Sequence, residues 1–131
     1  MDELEQLHAF LKMAWRAETS ADSENWSEEN PAWGQCAVTA LIVQDEWGGE
    51  LLRTEALLPD GRKISHYFNR VAGVVVDFTR GQFPEGTKYE EEILREREYV
   101  LSYPETQRRY ELLRADACSA PEDLAGLHWH G

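Results

Sequence analysis

The stretch that most constrains the fold is Cys36-Ala37-Val38-Thr39-Ala40-Leu41-Ile42-Val43-Gln44-Asp45-Glu46-Trp47. It is entered through Asn30-Pro31-Ala32-Trp33-Gly34-Gln35 and left through Gly48-Gly49. Val38, Leu41, Ile42 and Val43 give a helix over 36–47 an apolar circumference that is nearly complete. A helix apolar on almost every side has to be covered on several sides, so it is central and the other elements are arranged round it. Gly48-Gly49 stops it, because glycine takes the left-handed conformation past a helix C-terminus without a Cβ penalty. The thiol at its start faces free backbone N–H groups and the positive end of the helix dipole, which favour a thiolate over a thiol. Cys36 therefore has two readings, a nucleophile or a small buried apolar residue.

The other elements follow from periodicity. Leu4, Leu7, Phe10, Leu11, Ala14 and Trp15 share one side of a 3.6-residue period and predict an amphipathic helix over 3–16. A polar loop follows, carrying Trp26 and Trp33; these indoles either pin the loop to the core or wall a pocket beside Cys36. After the central helix come three candidate strands, 50–58, 63–69 and 74–79. Pro59-Asp60-Gly61-Arg62 turns between the first two, and Arg70-Val71-Ala72-Gly73 joins the second and third. Short connections between successive strands imply an antiparallel meander. The chain then reads as helix from Tyr89 to about Leu101 and from Pro104 to about Ala117, the break falling at a proline suited to a first helical turn. In the last helix Tyr110, Leu113 and Ala117 share a face, with Arg108, Arg109 and Arg114 mostly outside it. The tail from Ser119 is loop-like and ends in Leu127-His128-Trp129-His130-Gly131. Helices, strands, then helices is an α+β order, and 131 residues suit a single domain, 1–131.

Charge narrows the partners. A formal net charge of −12 argues against nucleic acid and anionic membranes as partners, because phosphate contacts need clustered Lys and Arg. No apolar run approaches the roughly 18 residues of a membrane span. The N-terminal residues show neither a basic n-region nor an apolar h-region, so no secretory signal is expected and a cytoplasmic location with reduced thiols is the default. Cys118 with His128 and His130 offers soft ligands, but without a fourth ligand or paired-cysteine spacing no metal site is expected, and no cofactor.

A nucleophilic thiol needs a base and a group to hold that base. Of the four histidines only His66 falls in a strand of the expected core. With Val71-Ala72 as a two-residue hairpin loop, Arg70 would face Gly73, Asn69 would face Val74, and His66 would fall directly opposite Asp77. Cross-strand partners lie on one face with Cβ atoms about 4.5–5.5 Å apart. Asp77 then fixes one imidazole nitrogen and leaves the other for a thiol. Asn69 alternates to the opposite face and reads as structural. Gln35, beside the thiol, is a candidate oxyanion donor, together with the backbone N–H groups at the helix start.

Asn30-Pro31, Gly34-Gln35-Cys36-Ala37-Val38-Thr39-Ala40-Leu41, Gly48-Gly49-Glu50, His66-Tyr67-Phe68-Asn69, Asp77-Phe78-Thr79-Arg80, Gln82-Phe83, Thr106, Arg109-Tyr110 and Leu113 together resemble the small bacterial YunG-like proteins. The resemblance covers most of the chain and implies an architecture. The order of Cys, then His-x-x-Asn, then Val-Asp-Phe-Thr is also similar to the core of papain-like and transglutaminase-like folds. There a helix that begins at the nucleophile packs on an antiparallel sheet carrying His and Asp.

The expected fold is therefore α+β: a central helix with Cys36 at its N-terminus on a small antiparallel meander, flanked by N- and C-terminal helices in a papain-like core. The expected function is a cysteine-dependent hydrolase or acyltransferase acting on an amide, peptide or thioester bond of a small molecule or peptide. Cys36, His66 and Asp77 would be its triad, with Gln35, Trp33 and Trp26 at the oxyanion site or pocket. The competing expectation is a binding or structural module that keeps this fold without turnover.

Overall fold

The computed structural model describes residues 2–118; the expected loop-like tail, with His128 and His130, lies outside the described residues. Helix α1 spans Glu3–Ala14 and is capped by Asp2, whose carboxylate accepts the Glu5 N–H at 2.8 Å. This is an ordinary N-cap, satisfying one of the orphan donors of a first turn. Its apolar stripe buries Leu7, Phe10 and Leu11. The segment that follows is held in two single 3₁₀ turns, Ala17–Thr19 and Ser23–Asn25.

Helix α2 runs Cys36–Trp47, the expected limits, and every residue from Val38 to Val43 is buried. One side packs with Leu7, Leu11, Trp15, Val76 and Leu113, and the other with Leu51 and Val100. The single buried hydroxyl on this helix, Thr39, accepts the Trp15 indole N–H at 2.9 Å. Burying a side chain such as Leu41 contributes about 2 kcal/mol, so a helix covered on all sides anchors the rest.

Strands β1 (Glu50–Leu57), β2 (Lys63–Val71) and β3 (Val74–Val76) form the antiparallel meander, in the order β3-β2-β1. Two corrections arise here. The hairpin register differs from the expected one: Val71 pairs with Val74, Arg70 with Val75 and Asn69 with Val76. The two-residue loop is Ala72-Gly73, with φ of +50° and +80°. A tight hairpin of this kind needs positive φ at both central positions, which a β-branched Val71 resists and Gly73 supplies.

The second correction concerns residues 89–96, expected to be helical. They are extended instead: β4 (Lys88–Tyr89) and β5 (Ile93–Arg95) both pair with β1 on the edge away from β2. Pairing the open edge of β1 satisfies backbone groups that a helix would have left bare. Only Arg97–Leu101, α3, is helical before the break, and α4 runs Pro104–Cys118. The described residues thus form an α+β fold of four α-helices and one five-stranded antiparallel sheet. No described helix is long and apolar enough to cross a membrane. Arg114, expected on the outer face of α4, is largely buried and lies 3.8 Å from the Asp45 carboxylate.

Candidate active site

The path into Cys36 is fixed by its backbone. Gly34 has φ +74°, and a Cβ there would stand 2.2 Å from Ser20 Oγ and 2.9 Å from the Ala21 nitrogen. The Ala21 N–H donates to Gly34 O at 2.9 Å, and Ser20 Oγ donates to Trp33 O at 2.7 Å. Only glycine fits this close approach of two chain segments. Gln35 is fully buried, with its Nε2 donating to Arg16 O at 2.9 Å and its Oε1 accepting from Thr19 Oγ1 at 2.8 Å. Its side chain is engaged in tying the preceding loop to the helix start. Trp26 and Trp33 are pinned within the loop, donating to Pro31 O at 2.8 Å and Asp22 Oδ2 at 3.0 Å.

The first intrahelical bond of α2 is from Thr39 N–H to Gln35 O, so the N–H groups of Cys36, Ala37 and Val38 precede the helical ladder.

His66 and Asp77 meet. His66 Nε2 lies 3.0 Å from both Asp77 oxygens, and the imidazole is fully buried. In the observed register Asp77, just past the end of β3, falls level with Phe68, and its carboxylate reaches along the strand to His66. The register shift is by two residues, which keeps side chains on the same face of the sheet. That parity is why the pair forms although the expected direct opposition does not. The ring is enclosed by Phe68, Phe83 and Tyr89, at centroid distances of 5.9, 5.0 and 5.1 Å.

A carboxylate only accepts, so Nε2 carries the hydrogen and Nδ1 is left for another partner. Nδ1 is buried and has no conventional hydrogen-bond partner among the described residues. The Cys36 thiol is nevertheless close enough to act on the ring as a hydrogen-bonding and charge partner. Burial pushes the His66 pKa down, but the Asp77 bond, the Cys36 contact and their charges outweigh it and raise it to about 9. His66 is then an imidazolium at neutral pH.

Tyr89, read from sequence as the start of a helix, is a site residue that sequence reasoning missed. Its hydroxyl donates to Asp77 Oδ2 at 2.5 Å, and the Arg80 guanidinium lies 4.4 Å over its ring. Burial and the Asp77 carboxylate push its pKa up, so it remains a donor. Asn69 is buried on the other face and donates from Nδ2 to Ala40 O at 2.9 Å, holding β2 against α2. Among the described residues no group of three or more His, Cys, Asp or Glu is placed to hold a metal ion.

The site therefore belongs to an α+β protein with a thiol at a helix start and a buried, aspartate-held imidazole beside it. A family profile described as "YunG protein" matches residues 3–120. The chain is also 37% identical over 87 residues to "Uncharacterized protein YunG" of Bacillus subtilis (strain 168), covering 66% of this chain and 69% of that one. The chain belongs to the YunG family. No solved structure matches it.

Proposed function

We propose that this protein is a cysteine-dependent hydrolase or acyltransferase acting on an amide, peptide or thioester bond. The observation that carries the reading is the buried His66, bonded to Asp77 through Nε2, with Nδ1 free and the Cys36 thiol beside it. The similarity of its Cys, His, Asp order to papain-like and transglutaminase-like cores supports the same reading.

In this scheme the proton of Cys36 already rests on the His66 imidazolium, and the thiolate sulfur attacks the carbonyl carbon, forming an S–C bond. The developing oxyanion is held by N–H groups at the start of α2. Collapse expels the amine or thiol, which takes the proton from His66, and leaves a thioester on Cys36. A water or second nucleophile then gives its proton to His66, attacks the thioester and frees the thiol. Asp77 holds the imidazole in one tautomer throughout, and Tyr89 holds Asp77.

The test uses the full chain with Cys118→Ser, so that one thiol reports. Iodoacetamide should alkylate Cys36 at pH 6–7 faster than a free cysteine peptide, and His66→Ala should slow it about tenfold or more. An activated ester should give a stoichiometric burst that Cys36→Ser abolishes. A thiol no faster than the peptide, with no burst, would leave a binding or structural module.

A further inference from the structure

Three arginines stand out in a chain with 25 acidic residues and 13 basic ones. Arg53, Arg95 and Arg109 form no ion pair among the described residues, while Arg16, Arg62, Arg70, Arg97, Arg108 and Arg114 each have a carboxylate partner and Arg80, likewise without one, is stacked on the Tyr89 ring. Their other contacts are neutral. Arg53 Nε donates to Ser65 Oγ at 3.0 Å, Arg95 lies 5.2 Å over the Tyr99 ring, and Arg109 donates to Thr106 Oγ1 at 3.2 Å. The Nε groups of Arg95 and Arg109 are buried and have no hydrogen-bond partner among the described residues. A buried guanidinium N–H left unmatched is costly, and an oxyanion on a ligand is one partner that would meet it.

The strand register gathers these residues at one place. Arg53 pairs with Tyr67 of β2 and Ile93 of β5, and Arg95 pairs with Leu51, so Arg53, Arg95 and Tyr67 share a face. It is the face on which α2 rests, since Leu51 packs with Ala40 and Leu41, and Tyr67 joins the same cluster beside Ala37, next to the thiol. Arg109 comes from α4, whose Tyr110 packs into that cluster. The thiol acts electrostatically on both Tyr67 and Arg109, and Arg53 and Arg95 act on Tyr67. The acid that acts on Arg109 is Glu105, which is already bonded to Arg108.

We infer that Arg109, Arg95 and Arg53, with Tyr67, form a subsite beside Cys36 for a compact oxyanion, a carboxylate or phosphate-type group, carried near the reacting carbonyl of the substrate. The inference rests on the thiol reading above and narrows its substrate class. Guanidinium forks suit planar or tetrahedral oxyanions in bidentate contact. A local cationic cluster also overcomes the repulsion that a net charge of −12 exerts on such a substrate from afar.

The experiment compares iodoacetate with iodoacetamide on the full chain carrying Cys118→Ser, at low salt and fixed pH, against a cysteine peptide. Dividing the two rates removes the intrinsic reactivity of the thiol. The iodoacetate-to-iodoacetamide ratio should exceed the peptide's by about fivefold and fall toward it at high salt. Arg109→Gln should cut the ratio by about threefold, as expected for one neighbouring charge. Protection of the wild-type thiol by succinate or by inorganic phosphate tells the two oxyanion classes apart, and decides alone should Arg109→Gln fail to fold. A fast iodoacetamide reaction with a peptide-like ratio and no protection by either anion would overturn the subsite and leave the thiol reading standing. A thiol slow to both reagents would instead overturn both.

Discussion

Gln82 Oε1 accepts the backbone N–H of Gly34 at 3.2 Å, tying the entry to Cys36 to the segment that follows Asp77. The same residue accepts from Asn30 Nδ2 through its carbonyl and donates from Nε2 to Thr79 O, both at 3.0 Å, and it is buried. One side chain thus sets the position of the thiol relative to the residue that orients its base. Gln82→Ala takes the side-chain acceptor from the Gly34 N–H, while the Thr79 carbonyl keeps the backbone N–H of residue 82, and the change should destabilise the fold by about 1–3 kcal/mol. Urea unfolding checks the stability, and Cys36 alkylation should slow in parallel. An unchanged midpoint would show that water replaces the side chain.

Gly34 itself gives a sharper case. Alanine there combines a positive φ with a Cβ 2.2 Å from Ser20 Oγ and 2.9 Å from a backbone nitrogen. Gly34→Ala should cost more than about 2 kcal/mol, since both backbone strain and overpacking oppose it. Adding Ser20→Gly removes the nearer clash but neither the strain nor the Ala21 nitrogen, so the double variant should remain well below wild type in urea. Full recovery in the double variant would place the whole cost on Ser20.

Much of this arrangement was legible in the chain. The apolar run from Val38 and the glycines at 48 and 49 marked α2 to the residue, because a central helix depends on local pattern and a clear stop. The meeting of His66 and Asp77 was legible through strand parity, which survived a wrong register because the error was an even number of residues. What the sequence did not disclose was set by tertiary demands. Residues Tyr89 to Arg95 have no strong period of their own and become strands because β1 has an edge to cover. Reading them as helix concealed Tyr89. The identity of Gln35 suggested a donor to substrate, but its amide is used on Arg16 and Thr19, residues that local spacing does not bring near it.

The raised pKa of His66 has a consequence for stability. Its ordinary value is near 6.5 and its folded value is about 9, so the folded state holds the proton more tightly than the unfolded chain. The resulting stabilisation is fully present below about pH 6.5 and is lost as pH rises through about 9. Over that window unfolding free energy should fall by an amount on the order of 3 kcal/mol. Urea titrations from pH 6 to 10 measure it, and His66→Gln should flatten the slope. A wild-type slope unchanged by that substitution would assign the loss to other groups.

Tyr89→Phe tests whether the phenol positions Asp77. The ring stays between His66, Phe68 and Phe83, so packing is kept and one charge-assisted bond is lost. Such a bond is worth about 1.5–3 kcal/mol. A purely structural role predicts a stability loss alone. A positioning role also predicts that the pH profile of Cys36 alkylation shifts, because the carboxylate holding His66 is freer to turn. An unmoved profile would confine Tyr89 to packing.

Asn69 supplies the complementary case, a buried polar residue three positions from His66 whose work is to hold β2 on α2 through the Ala40 carbonyl. The Ala40 carbonyl sits inside α2, where the helical ladder also uses it, so Asn69→Ala orphans no acceptor but empties the space of a fully enclosed side chain. A cost of about 1–3 kcal/mol follows from the lost hydrogen bond and the cavity. Because Asn69 faces away from the His66 ring, the shape of the alkylation pH profile should stay that of wild type at temperatures well below unfolding. Measuring both quantities on Asn69→Ala and Tyr89→Phe separates two roles that burial alone cannot tell apart. A profile displaced by Asn69→Ala would mean that the sheet-to-helix contact, and not only Asp77, sets where the imidazole stands.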